Sequence, residues 1–301
     1  MRLASALIAL AGLAPIAAAA VDAKLLAHGE YMFKAAGCYG CHTDTKAKGA
    51  ALAGGAKLAT PFGDFYPPNI TPDREHGIGA WSDEDFRRAL REGVSPRGYR
   101  YYPAFPYPAY TQLHDDDIRA IKAYIFSRPP VAQANRKHEL VWYARRPFLF
   151  FWKTLYFKAG PYPQDPARSA QWNRGAYLAN AAVHCGECHT PRTRLGGLNE
   201  DLHFAGTRDG PEGAVVPNIT PDKRTGIGNW RRSELFDYLE TGATPDGDYA
   251  GDLMADVIDN STQPLTRDDR AAIVEYVWSL PPIEHAVRKE KKKTEQDDFN
   301  F

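Results

Sequence analysis

All four cysteines and two of the nine histidines of this 301-residue chain fall in two matching arrangements, Cys38-Tyr39-Gly40-Cys41-His42 and Cys185-Gly186-Glu187-Cys188-His189. The order C-x-x-C-H is the attachment signature of c-type haem. In such a unit the two thiols (Cys38 and Cys41, or Cys185 and Cys188) add covalently to the vinyl groups of the macrocycle. The adjacent imidazole, His42 or His189, is the proximal iron ligand. The spacing suits a short helix, where residues three apart share a face and the next residue turns its ring toward the metal. Zinc fits poorly, because the two pairs stand far beyond the roughly 15 to 20 residues that separate such pairs in a compact zinc module. A thioredoxin-like redox pair needs a βαβ context that neither flank provides. The residues therefore predict two covalently attached haem c groups.

The elements that hold these units are written twice along the chain. Asn69-Ile70-Thr71-Pro72-Asp73 with Gly77-Ile78-Gly79-Ala80-Trp81 returns 149 residues later as Asn218-Ile219-Thr220-Pro221-Asp222 with Gly226-Ile227-Gly228-Asn229-Trp230. Leu113 to Pro130 returns 152 residues later as Leu265 to Pro282, and Gly29-Glu30-Tyr31-Met32 resembles Gly175-Ala176-Tyr177-Leu178. Such self-similarity marks a tandem duplication. In each half the pattern predicts a helix leading into the haem unit, a middle helix and a closing helix. Ser82 with Asp85 opens Phe86 to Leu90 and Gly93 closes it; Arg231 to Glu240 is closed by Gly242. Ile118, Ile121 and Ile125 recur at helical spacing over Asp115 to Phe126, and Pro129-Pro130 stops that helix. No strand periodicity is visible, so the predicted fold class is all-α. The expected division is a leader at 1–20, a first unit at 21–130, an aromatic-rich linker at 131–170 that packs the halves together, a second unit at 171–285 and a charged tail at 286–301.

With 37 basic and 37 acidic side chains the chain has no net field, which argues against nucleic-acid binding. Arg2, the apolar run Leu3 to Leu13 and the small residues Ala17 to Ala20 read as a secretory signal cleaved near Ala20, which implies export to the periplasm. The apolar run is too short to span a bilayer, as is Pro147 to Phe157, interrupted by Lys153. A mature protein with no transmembrane span follows, in solution or in peripheral contact with a membrane. The run Arg288 to Lys293 reads as a solvated end or as a docking patch for an acidic partner or membrane.

The whole set of motifs resembles the dihaem c-type cytochrome subunits of periplasmic alcohol, gluconate or aldehyde dehydrogenases. The matching features are both C-x-x-C-H units, both NITPD...GIG-x-W blocks, Tyr102-Pro103-Ala104-Phe105-Pro106-Tyr107, the linker from Phe151-Trp152 to Tyr177, and His184 to Arg192. The resemblance implies two class-I-like cytochrome c domains that pass single electrons from a dehydrogenase subunit toward a cytochrome or terminal oxidase. It makes the chain an electron-transfer subunit rather than a catalyst. The alternative is a dihaem oxidoreductase, of peroxidase or sulfur-compound type, working at an open or unusual first haem.

The sixth iron ligands separate these readings. Of three methionines, Met1 falls in the leader and Met32 reads as core. Met254 stands where the resembling family carries its axial Met, so His189 and Met254 are expected to hold the second iron. The corresponding first-half position is Phe105, which cannot ligate. A histidine (His76 or His114), a phenolate among Tyr101, Tyr102 and Tyr107, or an open site remains for the first haem. Pro68 and Pro217 are candidates to accept the second N–H of each proximal ring. Trp81 and Trp230 are candidates to donate to a haem propionate, or are core aromatics.

Overall fold

The structure, a computed structural model, describes residues 14–144 and 146–287; side chains are described from residue 22 onward, except that of Asp252. Residues 1–13 of the expected leader and residues 288–301 of the expected tail lie outside the described residues. Helix α1 (Ala14–Ala35) takes up the rest of the leader segment. At the other end Val287 is buried and the Ala286 carbonyl accepts from Arg208, while the run Arg288 to Lys293 lies outside the described residues.

In the first half α1 leads through Gly37 into α2 (Cys38–His42). Helix α3 (Asp83–Glu92) opens with a full capping box between Ser82 and Asp85 and closes on Gly93 in the left-handed conformation. A short α4 (Tyr107–Tyr110) precedes α5 (Asp115–Phe126). The linker carries α6 (Leu149–Tyr156). In the second half α7 (Ala170–Tyr177), capped by Ser169, runs into a π-helical turn at Leu178–Ala182 and then to α8 (Gly186–His189). Helix α9 (Arg232–Thr241) closes on Gly242. Helix α10 (Asp252–Val257) continues as a second π-helical turn, Ile258–Thr262, ahead of α11 (Arg267–Trp278).

The chain is not all-α. Strands β1 (Leu58–Thr60), β2 (Gly63–Phe65) and β3 (Glu139–Leu140) form a small antiparallel sheet, with Thr60 opposite Gly63 and Gly63 opposite Leu140. Two or three residues are too few to show alternation, and β3 pairs only because the linker is brought back across the first half.

The same helix crossing is built twice. α1 packs on α5 at Gly29, where a Cβ would stand 2.1 Å from the Ala120 carbonyl oxygen. α7 packs on α11 at Gly175, where a Cβ would stand 1.9 Å from the Ala272 carbonyl oxygen. Any larger residue forces the helices apart at these two points. Around the crossings Met32, Leu113, Ile121 and Ile125 in one half, and Leu178 and Ile273 in the other, are fully buried.

The halves join through reciprocal contacts. Tyr31 on α1 donates to Asp269 on α11, and Arg174 grips the same carboxylate with two bonds of 2.8 and 2.7 Å. In mirror fashion Tyr177 on α7 donates to Asp117 on α5, which His28 also meets at 2.5 Å. Each phenol oxygen accepts a backbone N–H at 3.2 Å, from Thr266 and His114 respectively. All four positions correspond between the repeats, so the contact is isologous, as between two copies related by a two-fold axis.

Part of the linker touches both halves, with Tyr156 accepting from the Thr193 hydroxyl at 3.2 Å in the second half. Phe157 and Trp152 pack on Tyr107, at 5.0 and 6.4 Å between ring centres. Trp142, Phe148, Phe150, Phe151 and Leu155 instead face solvent, because α6 buries Leu149 alone among its residues.

Candidate functional site

Each C-x-x-C-H unit sits on one helical turn followed by a threonine that turns the chain. The Thr43 hydroxyl accepts the Leu52 N–H at 3.1 Å and the Thr190 hydroxyl accepts the Phe204 N–H at 3.1 Å. Both donor residues lie in the left-handed region, Leu52 at φ 62° and Phe204 at φ 60°. The proximal rings are held alike. His42 Nδ1 donates to the Pro68 carbonyl at 2.7 Å and His189 Nδ1 to the Pro217 carbonyl at 2.8 Å. The proton is thereby kept on Nδ1, the ring is oriented, and the Nε2 lone pair is left for a metal. Burial lowers the pKa of both rings, against the opposing pull of the carbonyl, which favours this neutral form.

Those carbonyls are fixed by the repeated Asn-Ile-Thr. Asn69 Nδ2 donates to the Val131 carbonyl at 2.8 Å and its Oδ1 accepts from the Thr71 N–H and hydroxyl at 2.9 and 2.7 Å. Asn218 does the same toward Ile283, at 2.7 Å, and Thr220, at 2.8 and 2.7 Å. The chain just after each closing helix is thus tied to the loop that supports the proximal His. Sequence reading noticed the repeat but not this work; the signal was the buried Asn and Thr recurring together.

No disulfide joins any of the four cysteines. With two unbridged sulfur positions and one free Nε2 per unit, both sites fit a covalently held haem.

Matching hairpins follow α3 and α9. Val94 pairs with Arg100 and Ala243 with Tyr249. Tyr101 then donates its N–H to Gly93, and Ala250 its N–H to Gly242, each at 2.8 Å. Four residues past Tyr101 stands Phe105; four past Ala250 stands Met254. Both are half-buried. Phe105 lies among Tyr101, Tyr107 and Tyr110 at 5.5, 6.4 and 5.7 Å. Burial pushes the Tyr101 phenol up to about 12 and raises Tyr102 and Tyr107 as well, so all three favour the protonated form. His114 is stacked on Tyr177 at 4.2 Å between the halves. His76 lies in the Asp73 loop, its N–H bonded to Asp73 at 2.7 Å and its carbonyl to Asn135 at 2.9 Å. Trp81 and Trp230 pack against the core, and neither indole N–H meets a protein acceptor among the described residues.

The structure also brings the two attachment loops together, which sequence reading did not foresee. The Tyr110 hydroxyl donates to the Ala36 carbonyl at 2.6 Å and lies 3.3 Å from His184 Nε2. Ala36 stands two residues before Cys38 and His184 one before Cys185. Ser261, from the second half, holds the neighbouring Ala35 carbonyl at 2.7 Å. Because His184 has Gly37 as its counterpart, the repeat carried no signal for this contact.

Helix crossing, proximal loop and attachment unit together define a c-type cytochrome, and a family model for cytochrome c matches residues 26–128. Over 262 residues the chain is 42% identical to a diheme c-type cytochrome of Cereibacter sphaeroides, covering 85% of this chain and 86% of that one. It is 41% identical to the fructose dehydrogenase cytochrome subunit of Gluconobacter japonicus, over 85% of this chain and 52% of that subunit. It is 35% identical to the cytochrome c subunit of the quinone alcohol dehydrogenase of Gluconobacter oxydans, over 92% and 58%. The chain belongs to the dihaem c-type cytochromes, and covalently bound haem c is its prosthetic group. It spans little more than half the length of the two dehydrogenase subunits.

Proposed function

We propose that this protein is a periplasmic electron carrier that accepts single electrons from a dehydrogenase subunit and passes them to a cytochrome or terminal oxidase. The observation that carries the reading is the duplicated C-x-x-C-H unit, each with its His Nδ1 proton engaged by a proline carbonyl and its Nε2 free. Similarity to cytochrome subunits of fructose and alcohol dehydrogenases supports the donor class. When bound, haem c supplies reversible one-electron chemistry at iron, with a potential that axial ligands tune over roughly 0.8 V.

The chain does the rest. Cys38, Cys41, Cys185 and Cys188 tether; His42 and His189 ligate on the proximal side; Pro68 and Pro217 hold the Nδ1 protons. Met254 completes the second site, its equivalence to Phe105 supported by the matching hairpins. At the first site Phe105 and the protonated phenols around it offer no ligand, and we assign it an open sixth position. The rings packed on Phe105 are phenols, with no carboxylate or imidazole among them to move protons, so an open iron there serves electron transfer rather than turnover. The indoles of Trp81 and Trp230 are assigned to the propionates. The two units divide at 21–130 and 171–285, with 131–170 between them, and the reciprocal Tyr–Asp contacts keep the two sites at a fixed separation.

The test is mixing. Holoprotein with two haems per chain, combined with a substrate-reduced periplasmic dehydrogenase of the alcohol-, fructose- or gluconate-oxidising kind, is expected to be reduced at both haems. Failure with every such donor, while dithionite reduces both, would remove the assignment.

A further inference from the structure

Residues 142–158 read WYARRPFLFFWKTLYFK: eight aromatic side chains, four cations and no acidic residue, in a chain whose charges otherwise balance at 37 and 37. Trp142, Phe148, Phe150, Phe151 and Leu155 are 52–74% exposed, and Tyr99 beside them is 56% exposed. Solvent-facing apolar side chains gathered in this way mark a binding face.

The cations are interleaved with the rings. Arg100 lies over Phe150 at 5.3 Å, and Arg146 lies over Tyr102 and Tyr99 at 5.2 and 5.6 Å while donating to the Arg100 carbonyl at 2.6 Å. Among the described residues no carboxylate comes within ion-pair distance of Arg100, Arg146 or Lys158, although many other arginines of the chain are paired. The face therefore offers bulky apolar groups to insert and unneutralised positive charge around them. The uncharged polar groups on the face are mainly aromatic ones, the Tyr99 and Tyr143 hydroxyls and the Trp142 indole, the amphipathic rings that settle at headgroup level. Aromatics with Arg and Lys on a short surface helix are the pattern that settles at a bilayer interface, apolar face toward the acyl chains and cations at the headgroups.

We propose that the linker face formed by Tyr99, Trp142, Phe148, Phe150, Phe151 and Leu155 seats the protein on an anionic lipid surface. Arg100, Arg146 and Lys158 meet the headgroup phosphates. Attachment is peripheral, since no helix among the described residues is long and apolar enough to cross a membrane. The seat does not depend on which dehydrogenase donates electrons.

Flotation of the holoprotein with vesicles tests it. Binding is expected to phosphatidylglycerol-containing vesicles, to weaken steeply with added salt, and to be at least tenfold weaker on pure phosphatidylcholine. The variant carrying Phe150→Ser, Phe151→Ser and Leu155→Ser is expected to lose at least tenfold in affinity for the anionic vesicles, with unchanged haem content and visible spectrum. No binding to anionic vesicles overturns the proposal, as does equal binding by this variant. A variant that floats normally but is reduced more slowly by the dehydrogenase also overturns it, and makes the face a protein-docking surface.

Discussion

Phe105 and Met254 stand at matching points beyond matching hairpins, and one can ligate iron while the other cannot. The ferrous protein is therefore expected to bind carbon monoxide at one haem of the two. Phe105→Met should abolish that binding and add a second methionine–iron absorption signature. Met254→Ala should open the other haem to carbon monoxide and lower its potential, because loss of the thioether stabilises the ferric state. Potentiometric titration with and without carbon monoxide reads all three outcomes; an unmodified protein that binds none would mean that an internal ligand fills the first site. On the proximal side, Asn218→Ala leaves the buried Thr220 N–H without its acceptor and the Ile283 carbonyl with only the longer bond from the Thr220 hydroxyl, at 3.3 Å. About 1–3 kcal/mol should be lost for the buried group left unpaired, measurable by denaturant unfolding of holoprotein with intact haem content.

At the scale of elements, the helix crossings decide where the attachment turns sit. Gly175→Ala places a methyl on the Ala272 carbonyl oxygen and should cost about 3 kcal/mol, the upper range for overpacking. Gly251→Ala, at φ −104° with open space around it, should change stability by no more than about 0.5 kcal/mol. A similar loss at both glycines would mean that close approach is not what is being measured, since helix propensity by itself favours Ala over Gly. Several elements were legible beforehand for definite reasons. Ser82, Asp85 and Gly93 delimit α3 by capping chemistry, and the isoleucine spacing of α5 reports its buried face. The strands were not legible, since each is too short to carry a period, and neither were the π-helical turns that follow α7 and α10, which depend on how those helices meet the other half.

Across the whole molecule the reciprocal Tyr–Asp contacts hold the halves in one arrangement. Burial alone would raise the Asp269 pKa, but Arg174 and Tyr31 outweigh it and hold this carboxyl below the ordinary carboxylate range. A carboxyl depressed in the folded state stabilises above its unfolded pKa of about 4, and that contribution disappears as pH falls through the lower folded value. Arg174→Met leaves the carboxylate in a half-buried site without its cation. Its pKa then rises and the acid-unfolding midpoint should move to higher pH. Stability near pH 7 should fall by about 3 kcal/mol, the low end for breaking a buried pair, because Arg174 is itself 34% exposed. An unchanged acid midpoint would show that the contact carries no weight in joining the halves.

Sequence alone determined the chemistry and the duplication. Cysteine and histidine spacing is a covalent requirement of haem attachment, and a repeated Asn-Ile-Thr or Gly-Ile-Gly is visible in one dimension. It also exposed the asymmetry between Phe105 and Met254, since the offset between repeats needs no coordinates. Tertiary structure decided what depends on chain segments far apart meeting. It returned the linker to form β3, turned the linker aromatics to solvent although their composition suggests a core, stacked His114 on Tyr177, and brought Tyr110 between Ala36 and His184. Local propensity cannot encode such contacts, because each draws its energy from burial and hydrogen bonding between residues more than fifty positions apart.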